Sequence, residues 1–188
     1  MRHRIPSWLS RLLAALFLAS CQSAEEKAAA NSLMITSTAN PSLRVPATGT
    51  YSWMDGSVIV ADPRLSDEVY PILLSEIERG LARRGYRRLI AGRPDLLVGV
   101  VAALAGTLDD EEIRLAYGLD STWLPDALSK EEYEQGTLVL DVVDARTGHS
   151  LWRGAVHAAA KFERPADERR ERIERALEAL LQRFDEAR

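Results

Sequence analysis

The chain has 188 residues, 46% hydrophobic and 28% charged, which excludes a collagen-like, low-complexity, disordered or multi-pass membrane protein and suffices for one domain with its own core. Its 24 basic and 28 acidic residues give a formal charge of -4. Arg2, Arg4 and Arg11 lie in a first stretch of twenty residues without acid, so the remainder carries 21 basic against 28 acidic residues, their signs interspersed; sequence-independent nucleic-acid binding needs a basic face instead.

The N-terminus reads as a targeting device. A basic stretch is followed by the apolar run Leu12 to Ala19 and then by small residues, the pattern of a secretory signal peptide over 1–20. Eight apolar residues fall short of the roughly 20 that span a bilayer. A buried N-terminal helix of a cytosolic protein is the alternative, and the arginine-rich flank and the polar change after Ser20 favour export. Cys21 is the sole cysteine, so it forms no internal disulfide. Residues 21–46 hold no aromatic residue and no sustained period. They predict a lipidated N-terminus and flexible tether, with Leu33 to Thr36 pairing as an edge strand and a helix over Ala24 to Asn31 as the other reading.

Residues 47–188 read as a single domain. Thr50 to Trp53 predicts a strand, and Asp55 to Pro63 a turn-rich link. A helix follows, capped by Ser66 before Asp67 and Glu68, or else opening near Tyr70 with Pro71 at its first position. Leu73, Ile77 and Leu81 form its stripe, and Gly85 stops it. Tyr86 to Ile90 predicts a strand. Leu96 to Leu104 is apolar on both faces, a central strand in which Gly99 marks a bulge or a close neighbour. Gly136 to Asp144 and Ser150 to His157 make a hairpin whose turn gives Gly148 a positive φ. In its second strand Trp152, Val156, Ala158 and Ala160 share one face, and Arg153, His157 and Lys161 the other. A last helix runs from about Pro165 to Phe184, burying Ile173, Leu177, Leu180 and Phe184, with Glu168–Arg172 and Glu171–Arg175 spaced as surface pairs. This order predicts an α+β domain: a mostly antiparallel sheet of four or five strands with two helices packed on one face.

Two resemblances add to this reading. Leu18-Ala19-Ser20-Cys21 resembles the lipobox of bacterial lipoproteins, which implies cleavage between Ser20 and Cys21 and lipid on the Cys21 sulfur and amino group. Stable anchoring takes two or more buried chains, which a multiply acylated Cys21 supplies. Gln22, rather than Asp, implies delivery to the outer membrane of a Gram-negative cell, facing the periplasm. The strings Thr50-Tyr51-Ser52-Trp53, Asp62-Pro63, Arg84-Gly85-Tyr86, Pro94 to Val98, Gly136 to Ala145 and Leu151-Trp152-Arg153-Gly154, in that order before the charged last helix, resemble the DUF4136 family, a bacterial lipoprotein domain of unknown function. The resemblance spans about 47 to 184 and implies location and fold without an established activity. Where members carry a Gly- and Tyr-rich stretch, Leu108 to Gln135 is acidic and mixed.

No catalytic constellation is legible. Signatures of a serine nucleophile, a phosphate loop or a dinucleotide site are missing. His149 and His157 are predicted as exposed residues too far apart to share a metal ion. Asp141 and Asp144 point to opposite faces of a strand, Asp141 pairing across the sheet and Asp144 capping the turn. The run Asp109 to Glu112 lacks the ligand spacing of a calcium loop. Tyr117, Trp123 and Tyr133 are the candidate partner-binding residues, the alternative being that Trp123-Leu124-Pro125 folds back over a core edge. The expectation is a non-enzymatic, lipid-anchored envelope protein without metal or cofactor. It binds another envelope component through its sheet edge or the Leu108–Gln135 loop. The alternative is a small-ligand or lipid carrier with a cavity between sheet and helices, and a cell-wall hydrolase is the remote third.

Overall fold

A computed structural model describes residues 27–60, 63–104, 128, 133–161 and 165–188, leaving aside the side chains of 55–60 and 63–68. In chain order the elements are β1 (Leu33–Ala39), β2 (Gly49–Val60), α1 (Pro63–Arg83), β3 (Tyr86–Arg88), β4 (Leu96–Leu104), β5 (Glu134–Asp144), β6 (Ser150–Ala160) and α2 (Ala166–Asp185). Residues 27–31 are helical and lead into β1. The strands form one six-stranded sheet in the order β1-β6-β5-β4-β2-β3.

The fold is α+β as expected, but its sheet is larger and mixed. β6 pairs antiparallel with β1 and β5, and β5 with β4. β2 runs parallel to both β3 and β4. The parallel pairs arise because α1 carries the chain back along the sheet, as parallel strands require. β1 turns part of the expected tether into an edge strand longer than Leu33 to Thr36.

β2 also runs through residues expected as a link. Trp53 pairs with Val98 and Val58 with Val100, so residues 54–57 stand against Gly99 alone. The bulge anticipated at Gly99 therefore lies in its neighbour strand. At the head of these strands, Asp95 Oδ2 accepts from the Thr50 N–H and hydroxyl, each at 2.7 Å. Those Thr50 donors, the hydroxyl first, hold the Asp95 carboxyl below its ordinary range.

α1 begins before either expected start and contains Pro71. A proline deletes one helical hydrogen bond, yet Pro71 is exposed while Val69, Ile72 and Leu73 beside it are buried. Packing of those neighbours outweighs the lost bond. Gly85 ends the helix at φ +86, a left-handed stop only glycine adopts freely.

The core lies between the helices and one face of the sheet. Val98, Val100, Leu140, Val142, Trp152 and Val156 meet Leu73, Ile77 and Leu81 of α1 and Leu177, Leu180, Leu181 and Phe184 of α2. Burying each such side chain contributes about 1.5–3 kcal/mol. The Phe184 ring sits 5.2 Å from Trp152 and 5.8 Å from Tyr86, tying α2 to both halves of the sheet. Outside this core Arg84 joins the helices, 3.0 Å from Glu178 and 2.9 Å from Asp185. Its hydrogen bond to Glu178 lowers that carboxyl's pKa.

Candidate functional site

The two ends of the sheet differ. β3 has three residues, of which Arg87 and Arg88 are exposed, and short length with charge is how native proteins guard an edge. β1 has seven residues and neither charge nor proline among them. Its Ile35, Thr36 and Thr38 favour extended backbone. Asn40 finishes it, its N–H donating to the Leu151 carbonyl at 2.9 Å and its Nδ2 to Ser150 at 3.3 Å. Its Oδ1 accepts from the Ser42 N–H at 2.9 Å, starting a turn.

The Asn40 bond also fixes the direction of the backbone groups. In an antiparallel ladder alternate residues face the neighbour strand, and the β1–β6 register is unbroken. Residues 34, 36, 38 and 40 therefore bond to β6, while the N–H and C=O groups of Leu33, Ile35, Ser37 and Ala39 face outward. Leu33 and Ile35 pack against the core, whereas Ser37, Thr38 and Ala39 are exposed. Among the described residues no strand lies beyond β1, so this row of donors and acceptors is suited to receiving another strand.

The start of β1 is clipped to α2. Arg172 Nη2 donates to the carbonyls of Ala30 at 2.6 Å and Ala159 at 2.7 Å, and Nη1 to Asn31 Oδ1 at 2.8 Å. Arg172, expected in a surface pair with Glu168, thus holds the helical turn against the sheet. Ala30 packs there with Leu128, Tyr133 and Ala159.

The sheet face away from the helices carries polar cross-strand pairs. Thr137 and His157 are register partners with Oγ1 and Nδ1 2.9 Å apart. Asp141 pairs with Arg153 at 2.5 Å and accepts from Ser150 Oγ at 2.7 Å. His157 is fully buried, which corrects its expected exposure. The flanking Ala155 and Ala159 are equally buried, and they were the signal that this face is covered.

Between sheet and helices lies a cavity of about 160 Å³, walled by Leu73, Ala102, Leu104, Leu138, Val156 and Ile173, with Lys161, Arg169 and Arg172 as its charged neighbours. Sites for drug-sized ligands occupy roughly 300–1,000 Å³. The void matches one that holds a benzene-sized group, so the carrier alternative takes no support from it.

The sequence-predicted residues fall into three groups. Leu18, Ala19, Ser20, Cys21, Tyr117 and Trp123 lie outside the described residues. Tyr133 is buried at 8% exposure with Lys161 Nζ 5.2 Å from its ring centre. Its burial corrects its expected place among the surface candidates. Asp141 pairs across the sheet as expected. Asp144 caps its turn, Oδ1 accepting from the Thr147 hydroxyl at 2.9 Å and from the N–H groups of Thr147 at 2.7 Å and Arg146 at 3.0 Å. The Thr147 donors hold the Asp144 carboxyl below its ordinary range, and Gly148 takes φ +73. His149 is exposed and precedes β6. Among the described residues no group of three or more His, Cys, Asp or Glu side chains could hold a metal ion. Among them, too, no helix is long and apolar enough to cross a membrane.

With the geometry in place, comparison with known proteins gives a family. The profile described as Domain of unknown function (DUF4136) matches residues 36–184. No curated protein matches the sequence. Among solved structures, a PelC dodecamer from Paraburkholderia phytofirmans is similar over 79% of this chain and 97% of that one, at 10% identity and a TM-score of 0.43. A PDZ domain protein from Parabacteroides distasonis is similar over 89% of this chain and 39% of that one, at 16% identity and a TM-score of 0.48. Likenesses this distant decide nothing about the chain's activity.

Proposed function

The chain belongs to the DUF4136 family, and from that premise we propose that it is a lipid-anchored, non-enzymatic binding module of the bacterial cell envelope. It engages its partner by accepting a strand at β1. The observation that carries this reading is the edge itself: an uncharged strand of seven residues, four of them with outward backbone groups and no strand beyond them among the described residues, at the opposite end of the sheet from the guarded β3.

The anchor in this reading is Cys21, in the string Leu18-Ala19-Ser20-Cys21, and the membrane is the outer one, with the domain facing the periplasm. Six residue steps separate Cys21 from Lys27, about 20 Å at full extension. The edge strand then works close to the bilayer.

Two measurements test the reading. Mass spectrometry of the N-terminal peptide shows acylated Cys21, and Cys21→Ser moves the protein from the membrane to the soluble fraction. A Ser37→Pro chain, whose outward N–H is gone while the β1–β6 bonds remain, recovers at least tenfold less of the partner captured by the native chain. An unmodified Cys21, or capture unaffected by Ser37→Pro, refutes the corresponding half.

A further inference from the structure

Independently of the β1 reading, we infer that the groove between α1 and β3 binds a phosphomonoester group, with the Tyr51 hydroxyl and the Arg87 and Arg88 guanidinium groups as its donors. Strand register and helix period assemble the groove. Arg88 is the register partner of Tyr51 at the edge of the sheet. Ser75, Glu78, Arg79 and Ala82 recur along α1 at steps of three and four, which puts them on one side of the helix. The space between them has a volume of about 660 Å³ and is lined by Tyr51, Glu78, Arg79, Tyr86, Arg87 and Arg88, among others. That is within the range of sites for drug-sized ligands.

The floor of the groove holds an unused donor. Tyr51 is 1% exposed, and its hydroxyl has no hydrogen-bond partner among the described residues. The hydroxyl is not shut from solvent, so the opening it keeps leads into the groove it lines. Burial, and the Glu78 charge after it, push the phenol up to about 12, so at neutral pH it remains a donor. The rim is cationic, in a chain of formal charge -4. Arg79 is held by Glu76 at 2.8 Å and Arg88 by Glu78 at 2.7 Å. Arg87 is exposed and makes no ion pair or hydrogen bond among the described residues. Glu78 is the acid of the walls, and its Oε1 is engaged by Arg88 and by Trp53 Nε1 at 3.3 Å. Donors therefore approach from floor and rim, and guanidinium forks match the oxygens of phosphate. A tetrahedral phosphate offers acceptor oxygens on three sides, where a carboxylate offers two in one plane. The groove exceeds a phosphate alone, which leaves room for an organic body beside Tyr86.

Calorimetric titration of the full chain in dodecyl maltoside micelles tests this, with phenyl phosphate and benzoate as probes and chloride holding the ionic strength fixed. Phenyl phosphate should bind, and bind more tightly than benzoate. Tyr51→Phe deletes a hydroxyl that makes no bond within the described protein, so it should leave the unfolding midpoint no lower while weakening phenyl phosphate about tenfold or more. Arg87→Gln should weaken it by a similar factor. Arg93→Gln removes the same charge from an exposed residue outside the groove and should change the affinity by less than about twofold. Micelles carrying phosphatidic acid form the second arm, which distinguishes a lipid headgroup from a free phosphomonoester. Binding seen only in that arm, and lost in Tyr51→Phe, supports the site and places its phosphate on a lipid. Binding of neither probe nor phosphatidic acid overturns the inference. So does benzoate binding as tightly as phenyl phosphate, a Tyr51→Phe chain that binds like the native one, or an Arg93→Gln chain weakened as much as Arg87→Gln.

Discussion

Replacing Arg172 by methionine separates a local docking from the stability of the whole domain. The register sets Ser32 opposite Ala159 just before β1 begins, so the Ala159 carbonyl, facing the β1 side, has no strand to accept from. Arg172 stands in for one, at 2.7 Å. Methionine keeps the methylene stem and loses the donor contacts to Asn31, Ala30 and Ala159. Ala159 stays in the sheet at 1% exposure, so its carbonyl is left unsatisfied at about 1–3 kcal/mol. At roughly 2–4 °C per kcal/mol for a chain of this size, Tm should fall by about 2–12 °C. The Ala30 carbonyl has another way out, since the turn over 27–31 can swing into water. An added opening free energy near 1.4 kcal/mol corresponds to about tenfold, so cleavage after Lys27 by a lysine-specific protease should accelerate by about that factor. Only Lys130 and Lys161 compete as sites. An Arg172→Met chain whose Tm stays within about 1 °C of the native value, with Lys27 cut no faster, would refute the clip.

Gly154→Ala tests the packing of α2 on the sheet. A Cβ there would come within 2.5 Å of Trp152 Cη2 and 2.8 Å of Leu180 Cδ1, so overpacking should cost about 1–3 kcal/mol, read as a lower urea midpoint; an unchanged midpoint contradicts the close approach. Asp144→Asn tests the turn by pH. Because the folded carboxyl titrates below its ordinary value, its stabilisation is present above the unfolded pKa of about 3.9 and is lost as pH falls through the lower folded value. The native chain should therefore exceed the variant in urea midpoint at pH 6, with the gap closing as pH falls below about 4; a gap independent of pH counts against the cap.

What the sequence discloses depends on how local the cause is. β4 and α2 were legible because nine apolar residues in a row, and a stripe at steps of three and four, are stated by neighbouring residues alone. The turn cap at Asp144 and the Asp141–Arg153 pair follow from strand parity. β2 was cut short because Asp55-Gly56-Ser57 carries turn chemistry, and only its neighbour β4 keeps the strand going past it. Pro71 misplaced the start of α1 because the residues that hold the helix through it act by tertiary packing. The site was legible in part. Leu33 to Thr36 read as an edge strand, but its extent to Ala39 and its pairing with β6 are properties of strand order that nothing local announces. His157 looked polar and exposed by the same limitation, since parity assigns a face without saying what covers it.

The pairing of the first strand with the last has a consequence in time. β1 ends at Ala39 and its partner β6 at Ala160, so a ribosome adding about 5–20 residues per second finishes the partner some 6–24 s after the first strand is made. Throughout that interval an uncharged, β-prone ribbon has no native mate within its own polypeptide. The newborn chain must therefore be chaperoned, or threaded onward, before its two extremities can knit together.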